Sequence, residues 1–221
     1  MKIENYIDHS LPELYAGDTV AKAMELMEDY RVKQYAVLDE ENYKGLISEG
    51  LLSHIDNQDA VLGELALEHP DVFVHSSDHF FEVLKKYEQH KIMIVPVLND
   101  KGEFDGVINL ADSVEAFSKI ASSQFEGAII TMAINERQYS LADICKIVES
   151  NNLKVLCSYV AKNAKVEGVL DVTIKLNRNE ISKVEAALER YGYDITEKYT
   201  HTDVLNEDKE RLDMFLKYLN M

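Results

Sequence analysis

Residues 92–112 read IMIVPVLNDKGEFDGVINLAD, and residues 32–52, which read VKQYAVLDEENYKGLISEGLL, follow the same plan. Each stretch begins with a short apolar run, passes through a polar turn, and ends with a glycine, two aliphatic residues and the start of a helix. Apolar runs of this length, bounded by turn residues, predict strands. The repeated plan predicts two related folding units in the first half of the chain.

An amphipathic helix precedes the apolar run in both copies. Its apolar residues recur every three or four positions: they are Val20, Ala23, Met24 and Met27 in the first copy and Phe80, Val83, Leu84 and Tyr87 in the second. This spacing predicts one buried helix face. We expect Asp18 and Asp78, at equivalent positions, to cap the two helices. Each copy reads strand, helix, strand, strand, helix, and a unit of this size is marginal alone, so we expect the two to pack sheet against sheet around a cleft.

The second half restarts after a predicted linker, Ser122-Ser123-Gln124. Its apolar patterns predict strands at 128–134, 154–161, 169–176 and 195–199, and two helices striped by Leu141, Ile144, Cys145 and Val148 and by Ile181, Val184, Leu188 and Tyr191. Ser140 and Asp143 have the spacing of a capping box at the first of these helices. The order βαββαβ predicts a ferredoxin-like antiparallel sheet with both helices on one face. Residues 203–221, with Leu212, Phe215, Leu216 and Leu219 at helical spacing, predict a final amphipathic helix.

Composition excludes several classes of function. Lys and Arg number 23 against 40 Asp and Glu, and the net charge of −17 repels nucleic acids and anionic membranes. No apolar run is long enough to span a bilayer, and we expect a cytoplasmic protein. Cys145 and Cys157 lack metal-type spacing, and the chain has no metal-protease, phosphate-loop or dinucleotide motif, so we expect neither an enzyme, nor a metal site, nor a required cofactor.

The repeated elements resemble a known family. An Asp-x-Val segment, a long helix, an Ile-Val-Pro-Val strand and a Gly-aliphatic-aliphatic-polar-x-x-Asp turn are similar to the CBS domain, and two copies in tandem are similar to a Bateman module. The resemblance places the copies at about 8–58 and 66–120, within a domain pair at 1–121. It implies a regulatory module that binds an adenine nucleotide in the cleft between the copies.

The resemblance also implies which residues hold the ligand. In the second copy, Asp112 would accept hydrogen bonds from ribose hydroxyls and Asn109 would donate to phosphate, at a helix start whose amides favour an anion. The adenine ring would be walled by apolar residues: Ile94, Val95, Pro96, Val72 and Phe73. The first copy keeps Ser48 but has Leu51 at the aspartate position, so we expect its cleft to be empty or atypical. Cations beside the predicted clefts are Lys91, Arg31, Lys33 and Lys44.

Residues 125–200 resemble the ACT domain. The segment ERQYSLADI at 136–144 is similar to that family's ligand loop, but Tyr139 stands where the family has a glycine and Gln138 where it has a proline. A side chain would intrude on the effector, so the sequence favours a dimerisation role for this half and a homodimer. The order of domains is similar to that of acetoin-utilisation CBS–ACT proteins, and the fold class we expect is mixed α/β and α+β.

Two functions fit these observations. One is a sensor in which AMP, ADP, ATP or S-adenosylmethionine binds at the Asn109–Asp112 cleft and acts through the ACT-like domain or a protein partner. The alternative is a structural adaptor in which both pockets are vestigial and the chain supplies an oligomerising surface.

Overall fold

A computed structural model describes residues 2–200 of the chain. The chain divides into two compact units, Met1–Phe117 and Ser118–Met221. The helix predicted at 203–221 lies outside the described residues. No helix among residues 2–200 is long and apolar enough to cross a bilayer.

The first unit contains two copies of the same arrangement of strands and helices. The elements of the first copy are β1 (Leu14–Tyr15), α1 (Val20–Asp29), β2 (Gln34–Asp39), β3 (Asn42–Ser48) and α2 (Glu49–Leu52). Those of the second copy are β4 (Val74–His75), α3 (Phe80–His90), β5 (Ile94–Leu98), β6 (Phe104–Asn109) and α4 (Leu110–Ile120). In both, the first two strands pair in parallel and the last two pair antiparallel, which gives two three-stranded sheets. The repeat predicted from the sequence is present in the fold.

The long helix of each copy buries the predicted apolar face. The buried positions, equivalent in the two copies, are Val20, Ala23 and Met27 on α1 and Phe80, Val83 and Tyr87 on α3. Met24 and Leu84, at the edge of the stripe, are only half-buried. Each helix therefore packs against its sheet through one narrow row of side chains, as apolar residues spaced three and four positions apart require.

The prediction that Asp18 and Asp78 cap these helices is wrong by one residue. The caps are Thr19, whose side chain accepts a hydrogen bond from the Lys22 backbone, and His79. Each aspartate instead closes the turn before the helix, because its carboxylate accepts from a backbone amide three residues earlier, at 2.8 Å in both copies. Short acidic side chains favour both roles, and the sequence alone does not separate them.

A segment of each copy forms backbone hydrogen bonds with a strand of the other copy. We call residues 8–13 the first lead-in segment and residues 68–73 the second. Asp8 N donates to Val107 O on β6 at 2.7 Å, and Val107 N donates back to Asp8 O at 3.3 Å. In the equivalent exchange, Leu46 N on β3 donates to Glu68 O at 2.6 Å, and Glu68 N donates back at 2.8 Å. The two copies are interlocked through backbone hydrogen bonds.

Two glycines allow each lead-in segment to pair with the opposite copy, an arrangement that we call the exchange. Gly45 and Gly106 have φ angles of +153° and +149°, a backbone region that residues with a side chain rarely adopt. A Cβ atom on Gly106 would lie 2.9 Å from Asp8 O, and one on Gly45 would lie 2.9 Å from Glu68 O. Each lead-in segment passes directly against the glycine of the opposite copy.

The second unit has the βαββαβ order. Its elements are β7 (Ile129–Asn135), α5 (Leu141–Ser150), β8 (Val155–Lys162), β9 (Val169–Leu176), α6 (Ser182–Arg190) and β10 (Asp194–Tyr199). The four strands form one antiparallel sheet in the order β10-β7-β9-β8. Ser140 caps α5 by accepting from Asp143 N at 3.3 Å, as the sequence predicts.

Alternate residues of β7 and β9 pack against both helices. This core contains Ile130, Met132, Ile134, Val172, Ile174 and Leu176 from the strands and Ile144, Ile147, Val148, Val184, Ala187 and Leu188 from the helices. Both helices therefore cover one face of the sheet. Three predicted stripe residues lie outside this core. Leu141 is exposed at the first turn of α5, Cys145 is only partly buried, and Tyr191 follows the end of α6 and is 67% exposed. Cys145 and Cys157 are free thiols on α5 and β8.

Replacing Gly106 by alanine should destabilise the first unit, because the new Cβ meets the lead-in segment and the backbone angle is strained. We expect Gly106→Ala to lower the free energy of unfolding by at least about 2 kcal/mol. Urea denaturation monitored by far-UV circular dichroism measures the change. Gly17→Ala is the control, since nothing lies within 4 Å of a Cβ there. Equal midpoints for the two variants would contradict the packing described for Gly106.

Candidate functional site

A cavity of about 110 Å³ lies where the first lead-in segment meets strands of both copies. Its lining comes from the lead-in residues Asp8, His9, Leu11, Pro12 and Glu13, from Tyr35, Ala36 and Leu38 on β2, from Ile94 on β5, and from Phe104, Asp105, Gly106 and Val107 on β6. The cavity exists because the exchange brings the lead-in segment against β6. It is smaller than the roughly 300–1,000 Å³ of typical ligand pockets, so a nucleoside would have to extend from its mouth or displace the lead-in segment.

The charged lining of this cavity is acidic. Asp8, Glu13 and Asp105 contribute carboxylates, and no lysine or arginine is among the described residues that line it. Asp8 Oδ1 accepts from Ser10 N at 2.8 Å, and the Tyr15 hydroxyl donates to Glu13. The two carboxylates are thereby oriented by local hydrogen bonds. The cavity combines apolar walls with several hydrogen-bond acceptors.

Tyr35 borders the cavity, and its side chain packs in the core of the first copy with residues of α1. The residue is 3% exposed, and its hydroxyl is buried without a hydrogen-bond partner among the described residues. Burial raises the pKa of Tyr35 to about 12, and the charges of Tyr30 and Asp8 add to the effect. The hydroxyl is therefore protonated at neutral pH and has a proton to donate. Buried hydroxyls are rarely unpaired, and an ordered water is the usual partner where no protein group is in reach.

Tyr87 shows the ordinary arrangement of a buried tyrosine in the same unit. Its hydroxyl donates to Ile108 O at 2.6 Å, and Ser113 Oγ donates to it at 3.3 Å. Burial raises the pKa of Tyr87 as well. Its hydrogen bonds tie α3 to β6 and α4, which makes Tyr87 structural and Tyr35 the exception.

Asn109 and Asp112, the predicted ligand anchors, bind each other. Asn109 Nδ2 donates to Asp112 Oδ2 at 2.5 Å, and Asp112 N donates to Asn109 Oδ1 at 2.8 Å. The first bond joins the two side chains, and the second caps the start of α4, because Asn109 Oδ1 accepts from the amide of the third helical residue. Asp112 is exposed, and neither residue lines the cavity, although Asn109 follows Val107 by two residues and so lies on the same face of β6.

Most of the predicted apolar wall is not among the described residues that line the cavity. Val72 belongs to the second lead-in segment, which pairs with β3 of the first copy, and the ring of Phe73 packs edge-on against Tyr43 at 6.4 Å. Val95 and Pro96 are buried in β5. Ile94 is the one member of the predicted wall that lines the cavity. Sequence reasoning missed the first lead-in segment and Tyr35, because local patterns carry no information about which copy a segment joins.

The remaining predicted residues lie outside the cavity. Ser48 caps α2 by accepting from Leu51 N at 3.2 Å, and Leu51 packs against the core of the first copy. Lys91 is exposed at the end of α3, with φ of 55°. Lys33 and Lys44 form surface ion pairs with Glu49 and Asp39, at 3.7 and 3.2 Å. Within residues 2–200, no group of three His, Cys, Asp or Glu side chains is placed to hold a metal ion.

The two buried tyrosines give a matched test of this geometry. Tyr35→Phe removes an unpaired hydroxyl and should leave the free energy of unfolding unchanged or raise it by about 1 kcal/mol. Tyr87→Phe leaves the Ile108 carbonyl without its donor and should lower that free energy by about 1–2 kcal/mol. Urea denaturation of both variants measures the difference. A loss of stability in Tyr35→Phe as large as that in Tyr87→Phe would show that the Tyr35 hydroxyl has a structural partner.

Solved structures with related folds cover about half of this chain. A CBS domain pair/ACT domain protein from Thermotoga maritima is 25% identical, covers 54% of this chain and 98% of its own, and has a TM-score of 0.49. A structure from Vibrio cholerae, named for acetoin utilization (AcuB), is 22% identical over 56% of this chain and 95% of its own, with a TM-score of 0.48. CBSX2, solved in complex with AMP, is 20% identical over 54% of this chain and 97% of its own, with a TM-score of 0.47. No curated protein matches the chain.

The sequence matches the family model of the CBS domain twice, at residues 3–53 and 62–118. The two matches coincide with the two copies of the repeated fold, including their lead-in segments. The cavity and the Asn109–Asp112 pair both lie within the matched residues. The first half of this chain is a pair of CBS domains.

Proposed function

We propose that the CBS pair is a non-catalytic regulatory module that binds an adenosine-containing ligand between the first lead-in segment and β6. CBS domains are commonly regulatory, nucleotide-binding modules, which supports the class of function. The observation that carries the proposal is the cavity between the first lead-in segment and β6, which lies within the two matched CBS domains and combines apolar walls with hydrogen-bond acceptors.

Different residues around the cavity suit the base and the ribose of a nucleoside. Leu11, Ile94 and Phe104 offer apolar surface for a base. Asp112, in the first turn of α4 directly after β6, can accept from ribose hydroxyls if it exchanges the hydrogen bond that Asn109 now gives it. The ligand would then extend from the cavity along β6 toward α4.

A ligand that extends from the cavity along β6 would move the first lead-in segment. This movement would let the module transmit the binding signal. The cavity is too small for a whole nucleoside while Asp8 remains paired with Val107. A ligand that prefers the displaced segment shifts the equilibrium between two arrangements of the pair, which is the requirement for allosteric control. The response would pass to the second unit or to a protein partner.

We propose that the second unit is an ACT-like domain that supports a homodimer. Its βαββαβ order supports the assignment. Tyr139, at the position where the ACT family has a glycine, packs against the core of the unit, and residues Glu136–Gln138 before it form a helical turn. A filled loop of this kind favours assembly over the binding of a free amino acid.

One observation favours the structural adaptor as a second candidate function. Asn109 and Asp112 satisfy each other, and Leu51 occupies the aspartate position of the first copy within packed apolar surface. Residues whose side chains are already satisfied by other protein groups need no ligand. In that case the pair would serve only to hold the two halves of an assembly.

Thermal unfolding with adenosine compounds separates the two functions. AMP, ADP, ATP and S-adenosylmethionine form the panel. A ligand at a hundred times its dissociation constant stabilises the domain that it binds by about 2.7 kcal/mol, which raises the midpoint of the first unit by several degrees. If none of the four changes either transition, the adaptor function replaces the sensor.

Asp112→Ala should both weaken α4 and reduce the shift caused by the ligand, since the carboxylate supports the cap and contacts ribose. The cap accounts for about 1 kcal/mol of stability. Thr19→Ala is the matched control, because it removes the cap of α1 at a similar cost and touches no proposed ligand contact. An Asp112→Ala protein that keeps the full ligand shift would exclude Asp112 as the ribose anchor.

A further inference from the structure

The sheet of the second unit has one face that neither α5 nor α6 covers. Alternate residues of β7, beginning at Ile130, belong to the core with the two helices. Because side chains alternate along a strand, the other residues of β7 point to the opposite side of the sheet, which we call the open face. They are Ile129, Thr131, Ala133 and Asn135. Resting on the proposed homodimer, we infer that the open face packs on the open face of a second copy of this chain.

The centre of the open face is poor in charge. The β7 residues on it are uncharged, and β9, which pairs with β7, adds only two charged residues, Asp171 and Lys175. Two further carboxylates, Asp194 and Glu197, lie on the edge strand β10. Few charges at the centre and several at the rim are typical of a protein interface, whose core is depleted in charged residues.

A pair of threonines occupies the middle of this face. Thr131 on β7 lies directly opposite Thr173 on β9, and their hydroxyl oxygens are 3.0 Å apart. Thr173 is only 5% exposed. Cross-strand threonines that bond each other stabilise a sheet, and their hydroxyls need no water. A second copy can therefore cover the pair without leaving a polar group unsatisfied.

Two exposed tyrosines flank the threonine pair on the two edge strands. Tyr159 on β8 lies opposite Thr173, and Tyr199 on β10 lies opposite Ile129, so both belong to the open face. They are 57% and 58% exposed. Tyrosine is enriched in interfaces, because its ring buries apolar surface while its hydroxyl keeps a hydrogen bond. The Tyr199 hydroxyl already donates to Glu197 Oε2 at 3.1 Å.

Asp171 and Lys175 are placed to pair between two identical copies. They lie two residues to either side of Thr173, so their Cα atoms are roughly 13 Å apart along one strand and they cannot pair with each other. A two-fold axis that runs along the Thr131–Thr173 row, midway between two stacked sheets, places Lys175 over the partner's Asp171. The same axis places Asp171 over the partner's Lys175. A homodimer interface must be complementary to itself in this way, which identifies the occupant as a second copy.

Both charged side chains are available for such a pair. Within its own unit Asp171 accepts from Asn163 Nδ2 at 2.8 Å, which leaves its second carboxylate oxygen for a cation. Lys175 Nζ makes one long contact, 3.5 Å, with Ser123 O.

The distribution of charge along the chain also favours assembly through this unit. Residues 118–200 contain equal numbers of acidic and basic residues and so carry no net charge, whereas the whole chain carries −17. Repulsion between two copies is therefore weakest where their second units meet.

Sedimentation equilibrium of the full chain tests the inference through two matched variants. Ala133→Arg places a long side chain between the stacked sheets and should weaken the dimer by at least about tenfold. Ala142→Arg makes the same change at an exposed position of α5 and should leave the dissociation constant unchanged. Far-UV circular dichroism of both variants shows that they remain folded.

Charge reversal at Asp171 and Lys175 tests the predicted pairing itself. Asp171→Lys and Lys175→Asp each place like charges opposite each other across the two-fold axis, so each variant alone should dimerise at least about tenfold more weakly than the unaltered chain. An equal mixture of the two variants brings opposite charges together at both contacts. Native mass spectrometry of the mixture should therefore show mainly the mixed dimer.

The outcomes separate this inference from the proposed homodimer. An unaltered chain that stays monomeric in both experiments would overturn the homodimer itself. A dimer that Ala133→Arg does not weaken, or charge variants that do not associate with each other on mixing, would overturn the inference and leave a dimer that forms through another surface, such as the edge of β8.

Discussion

The backbone pairing of each lead-in segment with the opposite copy is the interaction on which the first unit depends. Four backbone hydrogen bonds, two at Asp8 and Val107 and two at Leu46 and Glu68, join each lead-in segment to a strand of the opposite copy. The pairing requires a glycine on β3 and another on β6, since a side chain there would meet the passing segment. It also creates the cavity, whose wall is the first lead-in segment itself. The pairing of the lead-in segments therefore determines both the architecture of the first unit and its candidate site.

Local sequence patterns predict the helices and strands. They do not predict the pairing of each lead-in segment with the opposite copy. Spacing of three and four residues predicts α1, α3, α5 and α6, and the apolar runs predict the strands, because these patterns reflect burial of one face. The limits of the method are visible at single residues. Asp18 and Asp78 close turns one residue before the true caps, and Tyr191 continues the apolar period of α6 after the helix has ended.

The candidate site is less predictable because its residues come from distant parts of the chain. Asn109, Asp112 and Ile94 are visible in a short motif, whereas Tyr35 and Asp8 become relevant only when the exchange places them beside β6. Phe73 illustrates the opposite case, since it belongs to the second copy and its ring packs against Tyr43 of the first copy. A repeat predicts which residues are equivalent, but it does not predict which of two equivalent partners each will contact.

The exchange has a consequence for the order in which the first unit is completed. The pairing of Leu46 with Glu68 joins neighbouring parts of the chain and can form as soon as the second lead-in segment has been synthesised. The pairing of Asp8 with Val107 spans almost the whole unit, and loop closure over that distance is slower. The earliest residues of the chain must therefore wait for the latest strand of the unit. The cavity between the first lead-in segment and β6 is closed in that final step, so it is absent from a growing chain until the whole pair has been synthesised.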